Sequence, residues 1–295
     1  MAKIFLDSIG LEELESNKEA VKKFQEYYWN LYTELARQRE KIKDKIIKTL
    51  NEASTSNCEF KEWQRAVRWK YSDHPLCTLG SLKDPGGRFN IGAINPQIFP
   101  TFSALYITKD KNTALQEFLG QPAESNQGLK PQEIALTSPD SITIISVSGY
   151  LEHVFDLRVA KYLSKFVTLT KSFKTSKALK NQAKKLGEQK FGIIQKPKQL
   201  LDDLMHPNWR RHPMLVDIPS NSQLFGQLIM AAGIQGILYK SKLTGEECLA
   251  IYPFNFQNSD SFIQLNDESP NPNTPSRIDA ISYFKTERTL FELQN

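Results

Sequence analysis

DPGGRFNIGAINPQIFPTFSALYITKDKNTALQEFLG spans residues 84 to 120, and its reading decides the fold. The pair Gly86 and Gly87 lets the backbone turn tightly before Arg88, because glycine accepts either sign of φ. SALYIT (103–108) is a β-rich run. The next segment reads as a helix from Lys111 to Leu119, with Asp110 as its N-cap and Gly120 as its terminator. Loop, short strand and short helix in succession predict a mixed α/β domain rather than a doubly wound sheet.

The flanking sequence extends that pattern. SITIISVSG (141–149) is another β-rich run, while GILYKS (236–241) and CLAIYPF (248–254) flank a Thr-Gly turn and predict a hairpin. Ser220 or Ser222 can cap a helix that runs to Ala232 and ends at Gly233. Upstream, Ser16 to Glu19 fits an S-x-x-E capping box, and neither Pro nor Gly follows until Pro75. Val21, Phe24, Tyr28, Leu31, Leu35, Ile42 and Ile46 form one apolar stripe on a long helix. A gap at Gln38 and aromatics in the seam favour a helix packed along the main domain over a coiled-coil dimer. NDESPNPNTPS (266–276) reads as a linker or loop. The expected organisation is a helical extension over 1–52, an α/β domain of the α+β kind over 58–256, and a Pro-containing linker and tail over 257–295. The sheet is expected to be rich in antiparallel pairs and its helices short.

Composition narrows the class. A chain of 295 residues with 40% hydrophobic and 24% charged content is that of a globular protein with one core and extensions. No apolar run is long enough to span a membrane, and MAKIFLDSIG at the start lacks the features of a signal peptide, so a cytoplasmic location is expected. Cys58, Cys77 and Cys248 are never spaced as C-x-x-C, and the four histidines do not fall beside them, which argues against structural zinc and a disulfide framework. Residues 161–198 hold eleven lysines and one acid, Glu188, a local net charge of +10 in a chain whose total is +5. Aromatic residues are sparse there and no nucleic-acid motif accompanies it, so the stretch reads as a solvated surface.

The polar residues form no familiar nucleotide motif. GGRFNIG (86–92) lacks the G-x-G-x-x-G spacing and is not a P-loop. Arg88 carries a planar fork suited to a pyrophosphate or carboxylate. On the following helix Ala114, Leu115, Phe118 and Leu119 form the apolar face; Glu117 lies at its edge, where periodicity alone reads it as a solvated glutamate. Tyr106 alone reads equally as an aromatic packed on a strand face. No histidine falls in a nucleophile-activating motif, so Ser241 is not read as an acylating nucleophile.

Taken in order, GGRFN (86–90), ALYIT (104–108), ALQEF (114–118) and FGQLIMAAGIQGILYKS (225–241) resemble the RES domain, a family named for its Arg, Glu and Ser. The resemblance runs from Gln64 to Pro253; residues 1–50, the lysine stretch and the tail have no counterpart in the minimal domain. It implies a fold similar to the ADP-ribosyltransferase and diphtheria-toxin group. It also implies an enzyme that consumes NAD+ by cleaving the nicotinamide N-glycosidic bond, with inorganic phosphate (a phosphorylase) or water (a glycohydrolase) as acceptor. The alternative is an ADP-ribosyltransferase acting on a protein or nucleic acid. NAD+ is then a substrate, and no resident cofactor or metal is implied, because the leaving group is already cationic in the ground state.

Carried over residue by residue, the resemblance makes Arg65, Arg88, Glu117 and Ser241 catalytic, and gives Arg65, Arg68, Arg88, Asn90, Tyr106 and Ser241 as NAD+ contacts. WQRAVRWKYSDHPL (63–76) offers both Arg65 and Arg68 as the first arginine, and YSDHPL favours Arg65. In this reading Glu117 faces the developing positive charge, the arginines hold the diphosphate, Tyr106 stacks on nicotinamide, and Ser241, exposed at a strand end, contacts ribose or phosphate. Compact members are toxins of bacterial toxin–antitoxin pairs. The partners this implies are a small helical antitoxin over the cleft, or the N-terminal helix acting in its place or building a homodimer; neither membrane nor nucleic acid is expected.

Overall fold

The computed structural model describes residues 11–53, 57–119, 142–187 and 193–285. Gly120, named above as the end of a helix, lies outside them, as does the end of the tail. The described residues begin with two helices, α1 (Leu11–Lys41) and α2 (Lys43–Ala53). Because α1 starts at Leu11, Ser16 lies inside the helix and does not cap it, a correction to the expected start. LEELE (11–15) supplies strong helix formers ahead of Ser16, and they carry the helix past it.

The single long helix expected from the stripe is two helices, parted at Ile42, whose N–H donates to the Arg39 carbonyl at 3.1 Å. Val21, the first member of the stripe, is 54% exposed, whereas Ile46 and Leu50 on α2 are fully buried in the main core. The boundary expected at residue 52 therefore does not separate two packing units. The gap in the stripe at Gln38 is a docking point. Its amide donates to the Lys174 carbonyl at 2.8 Å and accepts from the Lys174 N–H at 2.9 Å.

Among the described residues the sheet has eight strands: β1 (Cys58–Arg68), β2 (Leu105–Thr108), β3 (Ile142–Leu151), β4 (Val154–Asp156), β5 (Gly236–Lys240), β6 (Glu247–Ile251), β7 (Phe262–Leu265) and β8 (Arg277–Asp279). Their order is β4-β5-β6-β2-β1-β3-β7-β8, and β4 with β5 is the one parallel pair. Short helices join them: α3 (Lys111–Leu119), α4 (Ser164–Thr170), α5 (Lys177–Lys185), α6 (Pro197–Leu204), α7 (Arg211–Val216) and α8 (Asn221–Ala231). The chain is a mixed α/β fold, antiparallel-rich as expected. No helix among the described residues is long and apolar enough to cross a membrane.

Side-chain alternation explains the central strands. Ile237 and Tyr239 of β5, with Cys248 and Ala250 of β6, belong to the core under the helices, while Leu238, Leu249 and Ile251 belong to the core on the other face. Both faces are buried, so these strands read as nearly continuous apolar runs. The segment expected as a linker differs from its reading. β7 pairs with β3 and β8 with β7, so residues 266–276 connect two strands of the same sheet. Thr274 pins that connection by donating to the Asp73 carbonyl at 2.5 Å.

Candidate active site

The Gly86–Asn90 loop is held rigid by groups far away in sequence. Asn90 is fully buried; its Nδ2 donates to the carbonyls of Ser81 (2.8 Å) and Phe102 (3.1 Å), and its Oδ1 accepts from the Gly87 N–H and the Tyr106 hydroxyl, both at 2.9 Å. Tyr106 in turn accepts from the Phe89 N–H at 3.0 Å. Burial pushes the Tyr106 phenol above its ordinary pKa, which keeps the proton it donates. Gly87 lies flat against the phenol, and a Cβ there would collide with it. From the opposite side Gln223, the third residue of α8, donates to the carbonyls of Pro85 (2.7 Å), Gly87 (3.2 Å) and Asn90 (3.1 Å). Ser220 caps that helix in a reciprocal box with Gln223. Arg88 is thus presented by a loop in which the N–H groups of Gly87 and Phe89 and the carbonyls of Gly87, Phe89 and Asn90 all have partners.

Glu117 reaches the same place from α3. Asp110 caps the helix as expected, its Oδ1 accepting from the Thr113 N–H at 3.0 Å, and Thr113 meets Thr244 of the β5–β6 connection at 2.9 Å between hydroxyl oxygens. One turn further on, the Ser241 hydroxyl donates to Glu117 Oε1 at 2.5 Å. Ser241 is 3% exposed and its oxygen also accepts from the N–H groups of Leu243 and Thr244. Its expected exposure at the strand end is therefore corrected. The hydroxyl is turned into the tight connection, where it fixes one carboxylate oxygen of Glu117.

A cleft of about 510 Å³ opens over these groups, lined by Arg65, Arg88, Tyr106, Glu117, Trp209, Arg210 and Tyr239 among others. That is ample for a small-molecule ligand. Arg65 on β1 donates to the carbonyls of Pro75 (3.0 Å), Cys77 (2.9 Å) and Tyr106 (3.4 Å). Nη1 of Arg88 donates to the carbonyls of His206 (2.9 Å) and Leu204 (3.3 Å), and its guanidinium lies 5.7 Å from the Trp209 ring centre. Burial lowers the Arg88 pKa, while nearby Tyr239 and Glu117 oppose the shift. Cys248, beneath the site, is raised by burial and by the Glu117 charge, so it holds its proton and offers no thiolate. Among the described residues no group of three His, Cys, Asp or Glu side chains is placed to hold a metal ion.

The sequence profile of the RES domain matches residues 62–269. The chain belongs to the RES domain family. The RES match extends past the boundary expected at residue 256 and takes in β7, in keeping with the strand's place in the sheet. Among solved structures, a chain of the M. tuberculosis MbcT-MbcA toxin-antitoxin complex is similar at 11% identity, over 82% of this chain and 97% of that one, with a TM-score of 0.42. No curated protein matches the sequence.

Of the residues that the RES resemblance points to, Arg65, Arg88, Tyr106 and Glu117 line one cleft, and Ser241 touches Glu117 from behind. Asn90 and Arg68 do not line it. Asn90 is a strut of the loop, and the exposed Arg68 lies 5.9 Å from the Phe118 ring. Two groups at the site were missed. Gln223 was visible only as the partner of Ser220 in S-x-x-Q, and Trp209 with Arg210 only as an aromatic beside a cation.

Proposed function

We propose that the protein is an NAD+-consuming enzyme that cleaves the nicotinamide N-glycosidic bond, with inorganic phosphate as acceptor. The carbon–nitrogen bond breaks with its electron pair passing to the pyridine nitrogen, which leaves as neutral nicotinamide. A phosphate oxygen donates the pair for the new carbon–oxygen bond, giving ADP-ribose-1″-phosphate. With water as acceptor the product is ADP-ribose, and one proton is released.

The reading is carried by one observation: a carboxylate, Glu117, held at one oxygen by Ser241, in a cleft that also contains several arginines. Positive charge grows on the ribose as nicotinamide departs, and a fixed negative charge stabilises that state without reorganising. Ser241 removes rotational freedom from a carboxylate that lines the cleft. Arg88, fixed by Leu204 and His206, suits an oxyanion of the diphosphate. Arg65, with three of its N–H groups on backbone carbonyls, acts first as a brace between β1, β2 and the 75–77 segment.

The same reading makes the protein a growth-inhibiting toxin, restrained by a small helical protein that covers the cleft. Incubating the purified chain with NAD+, with and without phosphate, and weighing the products tests it. ADP-ribose-1″-phosphate is the expected product; ADP-ribose alone would move the assignment to hydrolysis, and a mass increase on protein or nucleic acid to transfer. An intact NAD+ pool under every condition would overturn it.

A further inference from the structure

Arg65, Arg88, Arg210 and Lys242 line the cleft, and among the described residues Glu117 is the one carboxylate that lines it with them. Such an excess of positive charge calls for an anion of more than one charge. The guanidinium groups are not equivalent. Arg65 and Arg88 both donate to backbone carbonyls. Arg210 stands exposed in the cleft wall, and its guanidinium makes no hydrogen bond or ion pair among the described residues.

Its position is nevertheless fixed. The Arg210 guanidinium lies 4.5 Å from the centre of the Trp209 ring, and Trp209 is 7% exposed, a platform anchored in the protein. The same indole carries Arg88 at 5.7 Å. Two like charges on one ring repel, and after burial it is the Arg88 charge that most lowers the Arg210 pKa. A phosphoryl group between the two forks relieves that repulsion, and planar forks match its oxygens as a lysine ammonium does not.

We propose that Arg210, laid on Trp209, forms with Arg88 a phosphoryl-oxyanion subsite of the cleft. The identity of the reaction served rests on the NAD+-cleaving reading; the chemistry bound does not. The phosphoryl group comes from one of two sources, the diphosphate of the dinucleotide or the free phosphate that accepts the sugar.

Two measurements on the full chain test the proposal, with Arg210→Gln, Arg210→Lys and the control Lys177→Gln on α5. Calorimetric titration with inorganic pyrophosphate is expected to show binding to wild type, weakened about tenfold or more in Arg210→Gln, less in Arg210→Lys, and unchanged in the control. In turnover, a raised KM for NAD+ at unchanged phosphate dependence assigns the subsite to the diphosphate; the reverse assigns it to the acceptor. Pyrophosphate binding to a folded Arg210→Gln as tight as to wild type overturns the subsite, and so does a wild type that does not bind pyrophosphate. A wild type that binds pyrophosphate but leaves NAD+ intact removes the proposed reaction and leaves the subsite standing.

Discussion

Glu117 and Ser241 are 124 positions apart and share a hydrogen bond of 2.5 Å, so each has a predictable failure. Glu117→Gln keeps size and removes charge; turnover is expected to fall on the order of a hundredfold while the KM for NAD+ changes little, which steady-state kinetics separates. Ser241→Ala leaves the charge but frees the carboxylate, and a smaller loss, about tenfold in kcat, is expected. Arg88→Lys removes a fork that bridges Leu204 and His206, so both NAD+ affinity and turnover are expected to fall. Arg88 and Glu117 were legible because their motifs come in a characteristic order. Ser241 was legible as a site residue but not in its role, because which way a hydroxyl turns at a strand end depends on a helix more than a hundred residues away. Tyr106 and Asn90 were read as substrate contacts; Gly87, the residue with no side chain against the phenol, was the local sign that they brace the loop.

Among the elements, α8 bears most directly on the site. Gln223 is buried and its amide nitrogen, Nε2, serves three loop carbonyls. Gln223→Leu keeps the volume and leaves those carbonyls without this donor, at about 1–3 kcal/mol for each that finds no other. A lower urea midpoint together with reduced turnover is the expected result; a midpoint equal to wild type would show that the amide is dispensable. Gly226, one turn along, faces the Phe89 carbonyl so closely that a Cβ would collide with it, and Gly226→Ala is expected to displace the loop and lower activity. The capped helices α3 and α8 and the β5–β6 hairpin were readable from local chemistry. The start of α1, its break at Ile42 and the last two strands were not. Strong helix formers run past the apparent cap, and strands as short as β7 and β8 are defined by the neighbour they pair with rather than by their own residues.

At the scale of the molecule, the N-terminal helices play unequal parts. Ile46 and Leu50 of α2 are core residues, so Leu50→Ala is expected to cost about 2–5 kcal/mol, and removing residues 1–53 to prevent folding. α1 gives the main core no fully buried residue, but Phe24, Tyr28, Trp29 and Tyr32 pack against it, and the helix also braces the cleft wall. Gln25 donates to the Leu215 carbonyl at 3.0 Å, Tyr28 packs on His212 at 4.8 Å, and Arg211 lies 5.6 Å from the Phe24 ring, all next to the segment that bears Trp209 and Arg210. Removing residues 1–41 is therefore expected to leave a folded protein with a raised KM for NAD+ and a nearly normal kcat. Unchanged kinetics in that truncation would confine α1 to a packing role.

The order of the sheet also bears on how the protein is made. β2 sits between β1, which precedes it in the chain, and β6, which is translated some 140 residues later. Until the ribosome has passed the β5–β6 connection, the nascent chain has Arg65, Arg88 and Glu117 but neither Ser241 nor the strand that closes the edge of β2. A message cut short before codon 241 thus encodes the arginines and the carboxylate of the proposed chemistry without β6, the strand that completes the sheet beneath them, so activity is expected only once that strand has been made.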